Sequence, residues 1–524
     1  MPCRDEILGE GKGHALCSAT AHVRQQQRHP PRSGSLPEGF GGSAANGETI
    51  VIHASSSSSQ TGKFVPAGGC LAGDRGFYQS MADCLHRSGG RCMSRRSPRV
   101  GRLKISVPSE HEPGLSVLYI TYDGLTDPLG RSQVLPYLAG LTKLGHRIHV
   151  LSCEKQAREA SDGARIRALC EAAGIGWHPI RYHKSPPILS SVYDMAMLRR
   201  AAERLHRRHR FDVVHCRSYI PAMAGLHLKH RQGVRFLFDM RGFWPDERVE
   251  GHSWPQINPV FRAVYGYFKS VERRLLRGAD HIISLTHAGK RQLLTRAELQ
   301  IPAPQDAITV IPCCVDFDHF PLTTRDGRQA ARRMLGLPQE ARVVAYLGSL
   351  GSWYMLDEML DFFRVCLERD ANARFLFVTH DAPEPILQAA RTRGIGTDRL
   401  LIRPASREEV PQFMCAADFG LFFIKPVFSK LASSPTKMGE MLALGLPVVT
   451  NSGVGDVAEI VEETGSGVAI DRFDDEAYRE ALERIDGLSM TPEMHRERAL
   501  PWFDVELGIA RYDRVYRDLA ASAG

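Results

Sequence analysis

Nowhere in its 524 residues does the chain carry an uncharged apolar run of the roughly 18–20 positions that a membrane-spanning helix needs. The opening stretch MPCRDEILGEGKGH has no apolar core of the kind a secretory leader carries. An embedded or exported protein is therefore not expected, and the chain reads as cytoplasmic. Cysteine is too thin for a disulfide framework, with twelve in the whole chain and none in a Cys-x-x-Cys spacing, which argues against zinc-ribbon and dithiol redox classes. A strong charge of one sign is also missing. The net charge is +8, but residues 1–112 hold 14 Lys/Arg against 9 Asp/Glu, so the rest is only mildly basic and no nucleic-acid partner is expected.

What is present divides at about residue 112. Residues 1–112 are rich in Gly, Ser, Pro and Arg, with serines from Ser55 to Ser59 and the basic stretch RCMSRRSPRVGRLK, and they show no sustained apolar period. Such a composition cannot bury enough surface to offset the entropy of ordering, and a disordered basic extension is expected. Met93, just ahead of the folded part, offers an alternative start of translation.

From Leu115 onward short apolar runs alternate with helical stretches: LSVLYIT (115–121), RIHVLS (147–152), FDVVHC (211–216), VRFLFD (234–239), DHIISL (280–285) and AITVIP (307–312). The pattern restarts with RVVAYLG (342–348), RFLFVT (374–379), RLLIRP (399–404), DFGLFFI (418–424), LPVVTN (446–451) and GVAID (467–471). Uniformly apolar strands separated by helices predict parallel sheets covered on both faces, here two doubly wound α/β domains in tandem. The expected boundaries are 113–312 for the first, 313–495 for the second and 496–524 for a terminal amphipathic helix carrying Val505, Ile509, Tyr512, Val515 and Leu519. Ligands of such sheets sit at the carboxyl ends of the strands, so paired domains predict a cleft between two such edges.

Within SKLASSPTKMGEMLALGLPVVTN (429–451), Ser434 reads as an N-cap and Pro435 as a first helical residue, which points free backbone N–H groups at an anion. Lys430 and Lys437 add positive charge, and Glu440 offers a carboxylate to two ribose hydroxyls. Two rival signals are read as structural. Gly453-x-Gly455-x-x-Ala458 imitates a dinucleotide fingerprint but precedes the last strand, not the first, and Asp316-Phe317-Asp318 imitates a metal-binding acid pair but lies between the domains. On 195–210, Met195, Leu198, Ala202 and Leu205 share a stripe while Arg200, Arg204, Arg207 and Arg208 face elsewhere, a solvated basic face or a contact with anionic lipid.

SSPTKMGEMLALGLPVV resembles the C-terminal signature of GT-B glycosyltransferases of family 4, and VIPCCVDFDHF, RGADHIISLTH and FDMRGFWPDE are similar to other segments of that family. The resemblance covers about residues 115–520. It implies two Rossmann-like domains, a nucleotide-sugar donor as substrate with no cofactor and no metal, retention of anomeric configuration, and a hydroxyl acceptor that is a sugar or is lipid-linked, in exopolysaccharide, lipopolysaccharide or glycolipid assembly. By the same resemblance the donor side falls on Ser349, Gly351, Lys430, Ser434, Lys437 and Glu440, and the acceptor side on Gly130, Arg131, Asp239 and Arg241, expected on loops at strand ends, the last two as catalytic candidates. The family's first signature glutamate is replaced by Ala432, and the basic residues that often follow the first strand of the second domain are replaced by LGSLGSWYM (347–355). Two other classes stay open: a nucleotide-sugar epimerase, which forms product with no acceptor, and a catalytically inactive sugar-nucleotide binder, which hydrolyses no donor.

Overall fold

The computed structural model describes residues 114–186, 189–296 and 307–521; the extension expected over 1–112 lies outside them. The first sheet holds β1 (Ser116–Thr121), β2 (Arg147–Glu154), β3 (Gly176–Arg181), β4 (Val213–Arg217), β5 (Arg235–Asp239), β6 (His281–Ser284) and β7 (Ile308–Val310) in the order β3-β2-β1-β4-β5-β6-β7. The second holds β8 (Val343–Leu347), β9 (Arg374–Val378), β10 (Leu400–Arg403), β11 (Phe419–Leu421), β12 (Val448–Asn451) and β13 (Gly467–Ile470) in the order β10-β9-β8-β11-β12-β13. Every pairing is parallel. The order reverses between β1 and β4 and again between β8 and β11, so each sheet has the switch point at which doubly wound folds bind ligands. β1, β4 and β8 are buried at every residue, as strands covered by helices on both faces must be.

Three elements depart from the sequence reading. The stretch carrying Gly130 and Arg131 was expected as a loop and is the helix Pro128–Gln133, begun by Pro128, whose fixed φ suits a first helical residue. Gly130 is needed there because a Cβ would fall 2.3 Å from the Gly124 carbonyl oxygen. The strand β3 was not expected, since GWHPIR has only Trp177 buried and carries Pro179, which sheets admit at an edge. The terminal helix expected over 496–524 is two helices, Pro492–Phe503 and Val505–Ala521, broken at Asp504 where the chain crosses between the lobes. At that crossing the Val315 N–H donates to the Phe503 carbonyl (2.7 Å) and the Val505 N–H to the Val315 carbonyl (3.0 Å), so the two inter-lobe passages are hydrogen-bonded to each other.

The helix Val505–Ala521 then docks on the first sheet, where Ile509, Tyr512, Val515, Tyr516 and Leu519 join Val117, Tyr119, Val150 and Val213 in one buried cluster. The second sheet has its own core around Val343, Phe362, Phe375, Phe423 and Met441. No helix among the described residues is long and apolar enough to cross a membrane.

Candidate functional site

On the first sheet the carboxyl ends of β1, β4 and β5 bring together a buried polar group. Asp239 ends β5 with 1% exposure; its Oδ2 accepts a hydrogen bond from the Tyr512 hydroxyl (3.1 Å) and lies 3.5 Å from His215 Nε2. Its Oδ1 has no donor and faces Arg241 Nη1 at 3.9 Å. Burial opposes ionisation of Asp239, but Arg241, His215 and Arg217 outweigh it and hold the carboxyl below its ordinary range. Arg241 follows in a left-handed conformation, φ +58°, and its Nη2 donates to Cys313 Sγ at 3.1 Å in the segment joining the lobes. Ser218, one residue past β4, is also left-handed at φ +68°. Two non-glycine residues in this region beside one buried carboxylate mark backbone strain held at a strand-end cleft.

Arg217, which the sequence reading passed over, ends β4 with 4% exposure, and its Nε finds no hydrogen-bond partner. Its signal was available only from topology, because Arg217 and Asp239 meet when β4 and β5 pair in register. Gly130 and Arg131 do not join this group. Gly130 is a packing glycine, and Arg131 pairs with Glu408 of the second lobe at 3.3 Å, where Arg165 also reaches Glu408 at 2.9 Å. This bridge borders a cavity of about 520 Å³ lined also by Asp316, His319 and Arg407.

On the second sheet the helix Thr436–Ala443 begins one residue later than a cap at Ser434 would start it, with Pro435 in the cap position. Ser434 Oγ instead accepts the Cys313 N–H at 3.1 Å, tying the start of the helix to the inter-lobe segment. Lys437, in the first turn, is buried, and its Nζ has no hydrogen-bond partner. The ammonium lies over two aromatic faces, 3.9 Å from the Tyr346 ring centre and 3.4 Å from that of Tyr354, a contact that compensates only part of the lost hydration. Burial therefore pulls its pKa well below the ordinary lysine value, against the attraction of Glu440 and Asp381. Glu440, one turn on and half-buried, has no hydrogen-bond or ion-pair partner among the described residues. Burial raises its pKa, and Arg407 and Lys437 draw it back down.

Ser349 and Gly351 are exposed on either side of the buried Leu350, and the loop is held by Asp381, which accepts from Ser349 Oγ (3.1 Å) and from the Leu350 N–H (2.6 Å); Gly351 turns the loop at φ +50°.

Lys430, expected on the donor side, is buried and faces the first lobe. Its Nζ is paired with Glu247 of the helix Trp244–Glu250 at 2.7 Å and sits 3.7 Å from the Trp353 ring centre. The short helix Phe428–Ala432 around it is a strap against the first lobe, with Phe428 stacked on Phe243 (4.9 Å), the Ser429 N–H donating to Glu250, and Thr286 Oγ1 donating to the Leu431 carbonyl. Ala432, at the position of the family's first glutamate, is buried among core residues of the first lobe and has no carboxylate to offer. The glycine turn at 453–455 belongs to the same seam. Gly455 donates to the Lys430 carbonyl, and Asp456 accepts the His287 and Ala288 N–H groups at the start of the helix His287–Thr295. Asp316 accepts the Asp318 and His319 N–H groups, a local turn.

With this geometry in hand, residues 131–314 match the family described as glycosyl transferase 4-like domain and residues 341–485 that described as glycosyl transferases group 1. Among curated relatives, a D-inositol 3-phosphate glycosyltransferase of Thermomonospora curvata is 26% identical over 297 residues, 54% of this chain and 65% of that protein. The protein of the same name from Salinispora arenicola is 23% identical over 330 residues, covering 60% and 70%. The chain thus spans about two thirds of the length of these relatives. Among solved structures, sucrose-phosphate synthase from Thermosynechococcus elongatus aligns with a TM-score of 0.59 at 17% identity, covering 78% of this chain and all of that one. HepE of Anabaena in complex with UDP and glucose aligns with a TM-score of 0.57 at 14% identity, covering 76% and 99%. At these identities the structural likeness shows the fold, which is GT-B.

Proposed function

The chain belongs to the group 1 glycosyltransferases of the GT-B fold, and from that premise we propose that it moves a sugar from a nucleotide-sugar to a hydroxyl acceptor with retention and without a metal. The observation that carries this reading is the pair Lys437 and Glu440: a buried ammonium with no hydrogen-bond partner, one turn from a carboxylate with none, at the start of a helix on the carboxyl side of the second sheet. Those are the groups a nucleoside diphosphate lacks for itself, a cation and backbone N–H groups for the diphosphate and an acceptor for two ribose hydroxyls. Because HepE was solved with UDP and glucose, a uridine diphosphate sugar is the first donor to test.

In the reaction the bond from the anomeric carbon to the diphosphate breaks, the acceptor oxygen bonds to that carbon on the same face, and the acceptor's proton passes to the departing diphosphate. Lys437 and the helix N–H groups stabilise the charge that develops on the leaving oxygen. Asp239, kept ionised, and Arg241 orient the acceptor and hold its hydroxyl against the anomeric carbon. Ser349 and Gly351 close the loop over the donor. The acceptor is a sugar or a lipid-linked sugar of a cell-surface glycan or glycolipid. The exposed Arg199, Arg200, Arg204, Arg207 and Arg208, with exposed Leu189, Val192 and Tyr193 on the same helix, Leu189–His209, suit a working position on an anionic membrane face.

The test is Glu440→Ala. Hydrogen bonds to a charged acceptor contribute about 1.5–3 kcal/mol, so the variant should bind the donor roughly ten- to a hundredfold more weakly while folding as the parent does. Calorimetric titration with UDP-sugars measures it, and equal dissociation constants would show that the nucleotide lies elsewhere.

A further inference from the structure

Away from the cleft, at the amino end of the first sheet, three histidines from three separate elements converge. His149 is on β2, His178 on the neighbouring edge strand β3, and His209 is the last residue of the helix Leu189–His209. One ring nitrogen from each lies within 4.8 Å of the other two, His149 Nδ1 and His178 Nε2 being 2.9 Å apart. We propose that His149, His178 and His209 bind a divalent transition metal of the zinc class, with a water or small anion in the fourth position.

Several independent features fit this ligand. Zinc takes imidazole nitrogens at about 2.0–2.1 Å in a tetrahedron, whose edges are then roughly 3.3 Å, so the observed spacing closes on an ion with modest ring rotation. Gly176 keeps the approach open, because a Cβ there would fall 2.6 Å from His149 Nδ1. All three rings are half-buried, and Phe211 packs against those of His149 and His209 at 5.4 and 5.8 Å, which limits their rotamers. Burial, with His209 and His178 beside it, lowers His149 to about 4, and burial lowers His178 as well, so both are neutral near pH 7, the form that ligates metal. An open cleft of about 820 Å³ lined by His146, Arg147, His149 and Leu169 leaves room for the fourth ligand. Arg147 and Arg208 bear on the cluster electrostatically and favour an anionic occupant of that position, hydroxide or inorganic phosphate. Bound there, the metal would fasten the edge strand to the end of the helix.

Cobalt(II) serves as the optical probe on the full chain. One equivalent should produce the visible absorption of a four-coordinate nitrogen and oxygen site, and His178→Gln and His209→Gln should each weaken binding about tenfold or more. Zinc should displace cobalt and raise the melting temperature of the parent but not of the variants, with nucleotide-sugar affinity unchanged in all of them. His209→Gln, at a helix end, keeps the test available if substitution on a strand prevents folding. Equal cobalt binding by parent and variants would overturn the proposal, and so would no binding by the parent, which would reduce the 2.9 Å contact to a hydrogen bond between two imidazoles.

Discussion

Lys437 carries a conflict between stability and binding. A buried ammonium without a hydrogen-bond partner, resting on Tyr346 and Tyr354, is costly to the empty protein and useful only when an anion arrives. Lys437→Met, of similar length and apolar, should therefore raise the melting temperature at neutral pH while weakening donor binding by roughly thirtyfold or more. Paired calorimetric scans and titrations check both directions, and a lower melting temperature with donor binding intact would refute the assignment. The pH dependence has a fixed sign. Because the folded-state pKa is depressed, the unfolded chain holds more protons between that value and the ordinary lysine range, so this residue's contribution makes stability rise with pH across that window. In the Met variant that slope should vanish. A diphosphate beside Nζ favours the charged form, so donor binding above the depressed pKa should take up a proton, measurable as a buffer-dependent binding enthalpy.

At the scale of elements, the helix Val505–Ala521 completes a core that it does not share a lobe with in sequence. Ile509→Ala removes a side chain buried against the first sheet and should cost about 2–5 kcal/mol, lowering the denaturant midpoint while leaving the affinity of the second lobe for nucleotide unchanged. Twelve of the thirteen strands were legible as apolar runs because parallel strands covered on both faces have no polar side to interrupt them. β3 was not, because an edge strand may carry His178 and Pro179. The period of the last helix was plain, but an amphipathic stripe does not say which surface it covers. The same limit governs the site. Lys437 and Glu440 lie within one turn and could be read from spacing, whereas Arg217, Arg407, Tyr346 and Tyr354 reach the cleft from separate strand ends and loops. The pairing of Lys430 with Glu247, far earlier in the chain, could not be read in the same way, because nothing local announces it.

At the scale of the molecule, charge and chain path set the behaviour. Reversing Arg200, Arg204 and Arg207 to Glu leaves the buried Leu198, Ala202 and His206 of that helix in place, so folding should persist. Each basic residue near an anionic surface contributes about 1 kcal/mol, and sedimentation with phosphatidylserine vesicles should show binding weakened at least about tenfold, more at low ionic strength. Equal sedimentation would remove the membrane from the proposal and leave the transferase reading untouched. The return of the last helix to the first lobe also sets an order in time during synthesis. The sheet that emerges first has one face covered only in part, by Tyr137, Leu141 and Ile166 of its own helices, until Ile509, Tyr512 and Tyr516 have left the ribosome. At roughly 5–20 residues per second, the whole second lobe passes in on the order of 10–40 s, while the remaining gap in that apolar face waits for a helix not yet made.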